Sequence, residues 1–133
     1  MSETEKLVRE SLTAFEQSDW DAIRDQWAPD GVAVGPPDWP ETGELVGWEA
    51  IRDQFERLKS DWAEDHIEVE QLEEPRPGTV FVRIRWIVTG AGSGVPLVVP
   101  MWVVTTIRDG KIVRAEFFQQ EQPALAALEA AGR

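Results

Sequence analysis

Few side chains in this sequence could do acid–base chemistry in a sheltered place, and His66 is the first of them. It is the only histidine, and imidazole is the side chain whose ordinary pKa lies closest to neutrality. His66 opens a segment in which Ile67 and Val69 alternate with Glu68 and Glu70. It is therefore either an acid–base group below a pocket opening or a surface residue at a strand end. Asp38 stands beside Trp39 in the Pro- and Gly-rich stretch from Gly35 to Gly47. Desolvation against an indole raises a carboxylate's pKa, yet aspartate in such a stretch is also a turn former. Arg83, Arg85, Arg114 and Glu116 alternate outward on strand-like segments, and we read them as charge pairs and Arg–indole stacking beside Trp102.

Other chemistry is excluded by what the sequence lacks. With no cysteine there is no disulfide, thiolate zinc site, iron–sulfur cluster or cysteine nucleophile. One histidine cannot supply a two-histidine metal motif, so no metal or cofactor site is expected. Gly90-Ala91-Gly92-Ser93-Gly94 has no basic context and no helix pattern after it, which argues against a phosphate loop. The net charge is −12 over 133 residues. Residues 1–75 carry −15 and residues 76–133 carry +3. No basic stripe exists to replace counterions on a nucleic acid, and the acidic half reads as a solvated helical surface. No apolar run approaches the ~20 residues of a membrane span, and MSETEKLVRE is too polar for a signal peptide. A single domain over 1–133, in the cytoplasm and bound to neither membrane nor nucleic acid, is the expectation.

The elements that would position these groups follow from periodicity. Ser2 with Glu5 makes a capping box, and Val8, Leu12 and Phe15 then recur at helical spacing. Asp19 caps a second helix carrying Trp20, Ile23 and Trp27 on one face, stopped by Pro29-Asp30-Gly31. Val32–Val34 reads as a short strand. A third helix runs from Trp48 to Trp62 through Ile51, Phe55 and Leu58, with Glu49, Arg52, Asp53, Glu56 and Lys59 assigned to solvent. The period then becomes 2. Thr79–Thr89 turns Val80, Val82, Ile84, Trp86 and Val88 one way. Val95–Ile107 is apolar on both faces, Asp109-Gly110 signals a two-residue hairpin, Lys111–Gln119 returns, and Pro123 opens a short last helix. Helices first and a strand meander second mean an α+β protein with segregated layers. The outward row Val98, Trp102 and Val104, flanked by Arg83 and Arg85, predicts a homodimer through the outer sheet face.

In this order the blocks Trp20-Asp21-Ala22-Ile23, Trp27-Ala28-Pro29-Asp30-Gly31, Gly47-Trp48-Glu49-Ala50-Ile51, Ile107–Arg114, Phe117-Phe118 and Ala124-Leu125 resemble the nuclear transport factor 2-like superfamily. The likeness is to its SnoaL-like and ketosteroid-isomerase-like branch. It implies a cone: a curved antiparallel sheet with the three N-terminal helices on its concave face, a short C-terminal helix, and a pocket between. It also implies that the ketosteroid isomerase set is missing. Gly35 stands where the proton-shuttling aspartate would be, and Ser11 where an oxyanion-hole tyrosine would be. Val103 replaces the oxyanion-hole aspartic acid, and Trp27 and Phe55 replace two supporting tyrosines. SnoaL-like cyclases place an acid–base aspartate after an aromatic pair; here Gln119 or Gln120 follows Phe117-Phe118, and an amide cannot take the proton.

The expected function is binding of a small hydrophobic molecule. The pocket would be lined by Trp27, Phe55, Trp86, Met101, Val103, Phe117 and Gln119. Alternatively, these side chains fill the cone as a solid core. An isomerase, cyclase or dehydratase working by proton transfer on a polyketide-like or terpenoid-like substrate would use Asp38 or His66 as acid–base group, with Gln120 orienting. The other reading is a non-catalytic ligand-binding or dimeric interaction module.

Overall fold

The computed structural model describes residues 2–37 and 43–132, so Asp38 and Trp39 lie outside the described residues. Helix α1 (Glu3–Glu16) starts at Ser2, whose hydroxyl accepts from the Glu5 N–H while Glu5 reaches back to the Ser2 N–H. Both halves of the capping box are thus made. Asp19 accepts from the Ala22 N–H at 3.2 Å and starts α2 (Trp20–Gln26). Strand β1 (Trp27–Val34) follows at once, then β2 (Glu44–Val46) and α3 (Trp48–Ser60). The long strands are β3 (Trp62–Arg76), β4 (Thr79–Gly90), β5 (Pro96–Arg108) and β6 (Lys111–Phe118), and α4 (Glu121–Ala131) ends the chain.

The six strands form a curved, unclosed sheet in the order β2-β1-β6-β5-β4-β3. Neighbours are antiparallel except β1 and β6, which run parallel. The long strands β3 to β6 thus form the expected antiparallel meander, and the β1–β6 pairing makes the sheet mixed where the resemblance implied an antiparallel one. Asp109 and Gly110 take φ of 52° and 74°, and Arg108 pairs with Lys111, so the β5–β6 hairpin has the expected two-residue loop with both φ positive.

Other sequence expectations shift for identifiable reasons. Pro29-Asp30-Gly31 does not merely end a helix; it lies within β1, where the register with β6 slips between Trp27 and Val32. Gly31 allows this, because a Cβ there would come within 2.7 Å of Trp27 Cε3. Trp62 leaves the helix and opens β3 opposite Gly90, because α3 closes at Asp61. Its ring packs edge to face on Trp86 with centroids 6.5 Å apart.

Two apolar clusters result among the described residues. The larger joins α1–α3 to the concave face through residues such as Val8, Ile23, Ile51, Val82 and Ile107. The smaller lies on the opposite face, where α4 covers Phe81, Val104 and Phe118 with Ala124 at its centre. Val104 is therefore sealed by α4 rather than available to a second copy, while Trp102 is half-buried beside it with the Arg83 guanidinium 5.5 Å from its ring centroid.

Candidate functional site

Between the concave face and the helices lies a cavity of about 120 Å³. The pairings Trp86–Val99, Ile84–Met101 and Val82–Val103 bring matching inward rows of β4 and β5 together, and Val103–Phe117 continues the row onto β6. Strand alternation sends these side chains to one face. From the helices, Phe15 and Phe55 meet edge to face at 5.4 Å, Phe15 packs on Trp86 at 6.1 Å, and Phe55 on Phe117 at 6.3 Å. Such edge-on contacts join the rings into one wall.

Of the residues singled out from sequence, Trp27, Phe55, Trp86, Met101, Val103 and Phe117 all line this cavity. So do Ser11 and Gly35, which means that all five positions matched to the ketosteroid isomerase set gather around one space. None of the five carries a carboxylate or phenol. Among the described lining residues there is no ionisable side chain; the polar ones are Ser11, Gln54 and Thr105, besides the indoles.

The remaining candidates stand elsewhere. His66 pairs with Ile87 on the outward side of β3, and its side chain is 59% exposed with Nδ1 3.0 Å from Glu16 Oε1. Alternation with Ile67 puts it there, away from the cavity. Gln120 is exposed at the N-cap of α4 without a side-chain cap bond. Gln119 is half-buried and does not belong to the lining. Asp38 lies two residues beyond Pro36, which does line the cavity, but outside the described residues.

Two groups escaped the sequence reading. Lys59, assigned to solvent, has a side chain only 10% exposed and makes an ion pair at 3.3 Å with Asp65, exposed to the same degree. The Trp86 Nε1–H donates to the other Asp65 oxygen at 3.0 Å. Lys59 also donates to the Phe15 and Glu16 carbonyls at the end of α1. The signal for Asp65 was available: it is in phase with Ile67 and Val69 and so must face inward.

Near this cluster the Glu16 carboxylate bridges α1 and β3. Burial raises its pKa, but the Ile67 N–H, the His66 ring and the charge of Lys59 outweigh that and hold it below the ordinary value. Glu74 is also held low, by hydrogen bonds from the Ser2 hydroxyl, Thr4 and the Gly78 N–H.

A curved six-stranded sheet with three helices over an apolar cavity is the nuclear transport factor 2-like arrangement in its ketosteroid-isomerase-like form. The chain belongs to the SnoaL-like domain family, whose profile matches residues 8–115. Among solved structures it is similar to an NTF2-like protein of unknown function from Burkholderia pseudomallei (TM-score 0.78, 21% identity, covering 96% of this chain and 98% of that one). It is also similar to TerC co-crystallised with polyporic acid (0.76, 20%, 96% and 98%). A third neighbour is an LEH-like epoxide hydrolase from M. tuberculosis (0.69, 13%, 97% and 93%). At these identities the likeness concerns the fold. No curated protein matches in sequence. No helix among the described residues is long and apolar enough to cross a membrane.

Proposed function

We propose that the cavity binds a small, uncharged, single-ring hydrophobic molecule. The observation that carries this reading is the lining: an apolar, partly open cavity with aromatic walls and no ionisable side chain among its described residues. An unpaired charge would lose its hydration there without a partner, at a cost of several kcal/mol. Its size argues for one ring. About 120 Å³ is close to the roughly 150 Å³ apolar cavity that takes up benzene, and below the roughly 300–1,000 Å³ of drug-sized sites. Ser11, Gln54 and Thr105 supply the few neutral polar contacts that orient a ligand.

The test is a fluorine NMR titration with three probes of one shape: 4-fluorotoluene, 4-fluorobenzoate and 4-fluorobenzylammonium. Saturable binding of the first alone supports the reading. Equal binding of a charged probe, or no saturable binding of any, contradicts it.

A second reading is proton-transfer catalysis on a polyketide-like or terpenoid-like substrate. It is favoured by the epoxide hydrolase among the neighbours and by Asp38 following the lining residue Pro36 so closely. In that reading Asp38 is the acid–base group, because His66 stands away from the cavity; Gln120, expected to orient the substrate, stands away from it as well. Binding of 4-fluorotoluene unchanged by Asp38→Asn, with no product formed from cyclic epoxides or ketones by either protein, would leave the non-catalytic reading.

For assembly we propose a homodimer through the part of the outer face that α4 leaves open. There Val98 is 47% exposed, and Arg83 and Arg85 pair with Glu70 and Glu68 on β3.

A further inference from the structure

Behind the aromatic wall, the Lys59–Asp65 pair joins three elements at one carboxylate. Asp65 of β3 faces Lys59 of α3 at 3.3 Å and takes the Trp86 indole N–H at 3.0 Å. Lys59 in turn donates to the Glu16 carbonyl in the last turn of α1 and to the Phe15 carbonyl, which also accepts the Ser18 N–H. It also stands 4.7 Å from the centroid of the Phe15 ring. Phe15 and Trp86 both line the cavity, whereas Lys59 and Asp65 do not touch it.

Stability does not require such a pair. Burying two charges is costly, and apolar residues of similar volume often serve as well or better. What an apolar pair cannot do is accept a hydrogen bond from Trp86. A hydrogen bond to a carboxylate is stronger than one between neutral groups, and here it ties the indole N–H to a residue that is not part of the cavity lining.

We infer that Asp65 is a positioning residue for ligand binding: by holding the Trp86 N–H it turns the indole so that its carbon surface forms the cavity wall. The inference rests on the cavity being a ligand site. Lys59 supports it by keeping Asp65 oriented and its charge paired. Without Asp65 the indole can turn its N–H into the cavity, which changes the shape and polarity a ring meets there.

The test is a double-mutant cycle with 4-fluorotoluene as the probe. The change Lys59→Met with Asp65→Leu removes both charges and keeps an apolar packing. We expect it to raise Kd about tenfold when Trp86 is present and less than twofold in the Trp86→Phe background, however weak that background is. The Trp86 indole N–H resonance, assigned by its loss in Trp86→Phe, should shift and exchange faster with water in the paired variant. Should that variant fail to fold, Lys59→Met with Asp65→Asn, which keeps an acceptor oxygen and leaves no charge unpaired, should retain the resonance and bind within threefold of wild type; a lost resonance with unchanged binding would overturn the inference. Equal losses in both backgrounds, no loss in either, or an unmoved N–H resonance would overturn the inference. Failure of the wild type to bind any probe would remove the ligand reading itself and this inference with it, an outcome recognised before any variant is made.

Discussion

Phe15 of α1 and Phe55 of α3 meet at right angles, their ring centroids 5.4 Å apart, and both rings face the cavity. The helices are therefore joined through the cavity's own wall, and a change of ring there alters stability and capacity together. Phe55→Ala should destabilise the protein by about 3 kcal/mol, the lower end for loss of a packed phenylalanine because space already exists beside it. It should also let a two-ring probe such as 2-fluoronaphthalene bind more tightly than it binds the wild type. Urea unfolding and the same fluorine titration check the two halves.

Gly31→Ala tests the β1 irregularity. Its Cβ would meet Trp27 Cε3 at 2.7 Å and two carbonyl oxygens, those of Ala28 and Ile112, at 3.1 and 3.2 Å. Backbone atoms cannot swing aside as a flexible side-chain end can. We expect a loss of about 1–3 kcal/mol, as for overpacked sites, read as a lowered Tm. An unchanged Tm would show that Trp27 is not held against this turn.

The acid limb of stability should depend on Glu16 and Glu74. Both are held below the ordinary carboxylate value in the folded protein, so each contributes stability that is fully present above the unfolded pKa of about 4.3. That contribution is lost as pH falls through the folded value. Urea midpoints should stay level from neutrality to about pH 5 and fall below it. Glu74→Gln should lower the neutral plateau and flatten the fall; a parallel displacement at every pH would contradict this.

Assembly is tested at Val98 rather than Trp102. Trp102 packs in the cluster under α4, so charging it would damage the protomer itself. Val98 is 47% exposed, and Val98→Asp should leave the protomer folded while shifting sedimentation from dimer towards monomer. A wild-type protein that sediments as a monomer at micromolar concentration would refute the proposed interface.

Much of this architecture was legible because it is local. Val8, Leu12 and Phe15 announce α1 by spacing, Asp109-Gly110 announces a hairpin by backbone preference, and alternation in β4 names Val82, Ile84 and Trp86 as one face. The parallel β1–β6 pairing was not legible, since nothing within either strand encodes its neighbour's direction. Lys59 misled for a related reason. A helical wheel assigns it to the polar face, but the end of α3 is closed over by α1 and β3, and only that packing buries it. Val104 likewise looked available until α4 was placed on the outer face.

The central claim, that the cone holds a site for one uncharged ring, is tested most directly by the affinity of 4-fluorotoluene for the wild type beside Ala115→Leu. Ala115 is 4% exposed and lines the cavity, so a leucine there fills the space a ring would occupy. Burying about 200 Å² of aromatic surface at about 25 cal/mol per Å² sets a ceiling on affinity at a Kd of about 0.2 mM, before the cost of immobilising the ring. The account predicts one saturable site with a Kd between that ceiling and the low millimolar range in the wild type, and none in a folded Ala115→Leu protein. Saturation by both proteins with equal affinity, or by neither, would contradict it.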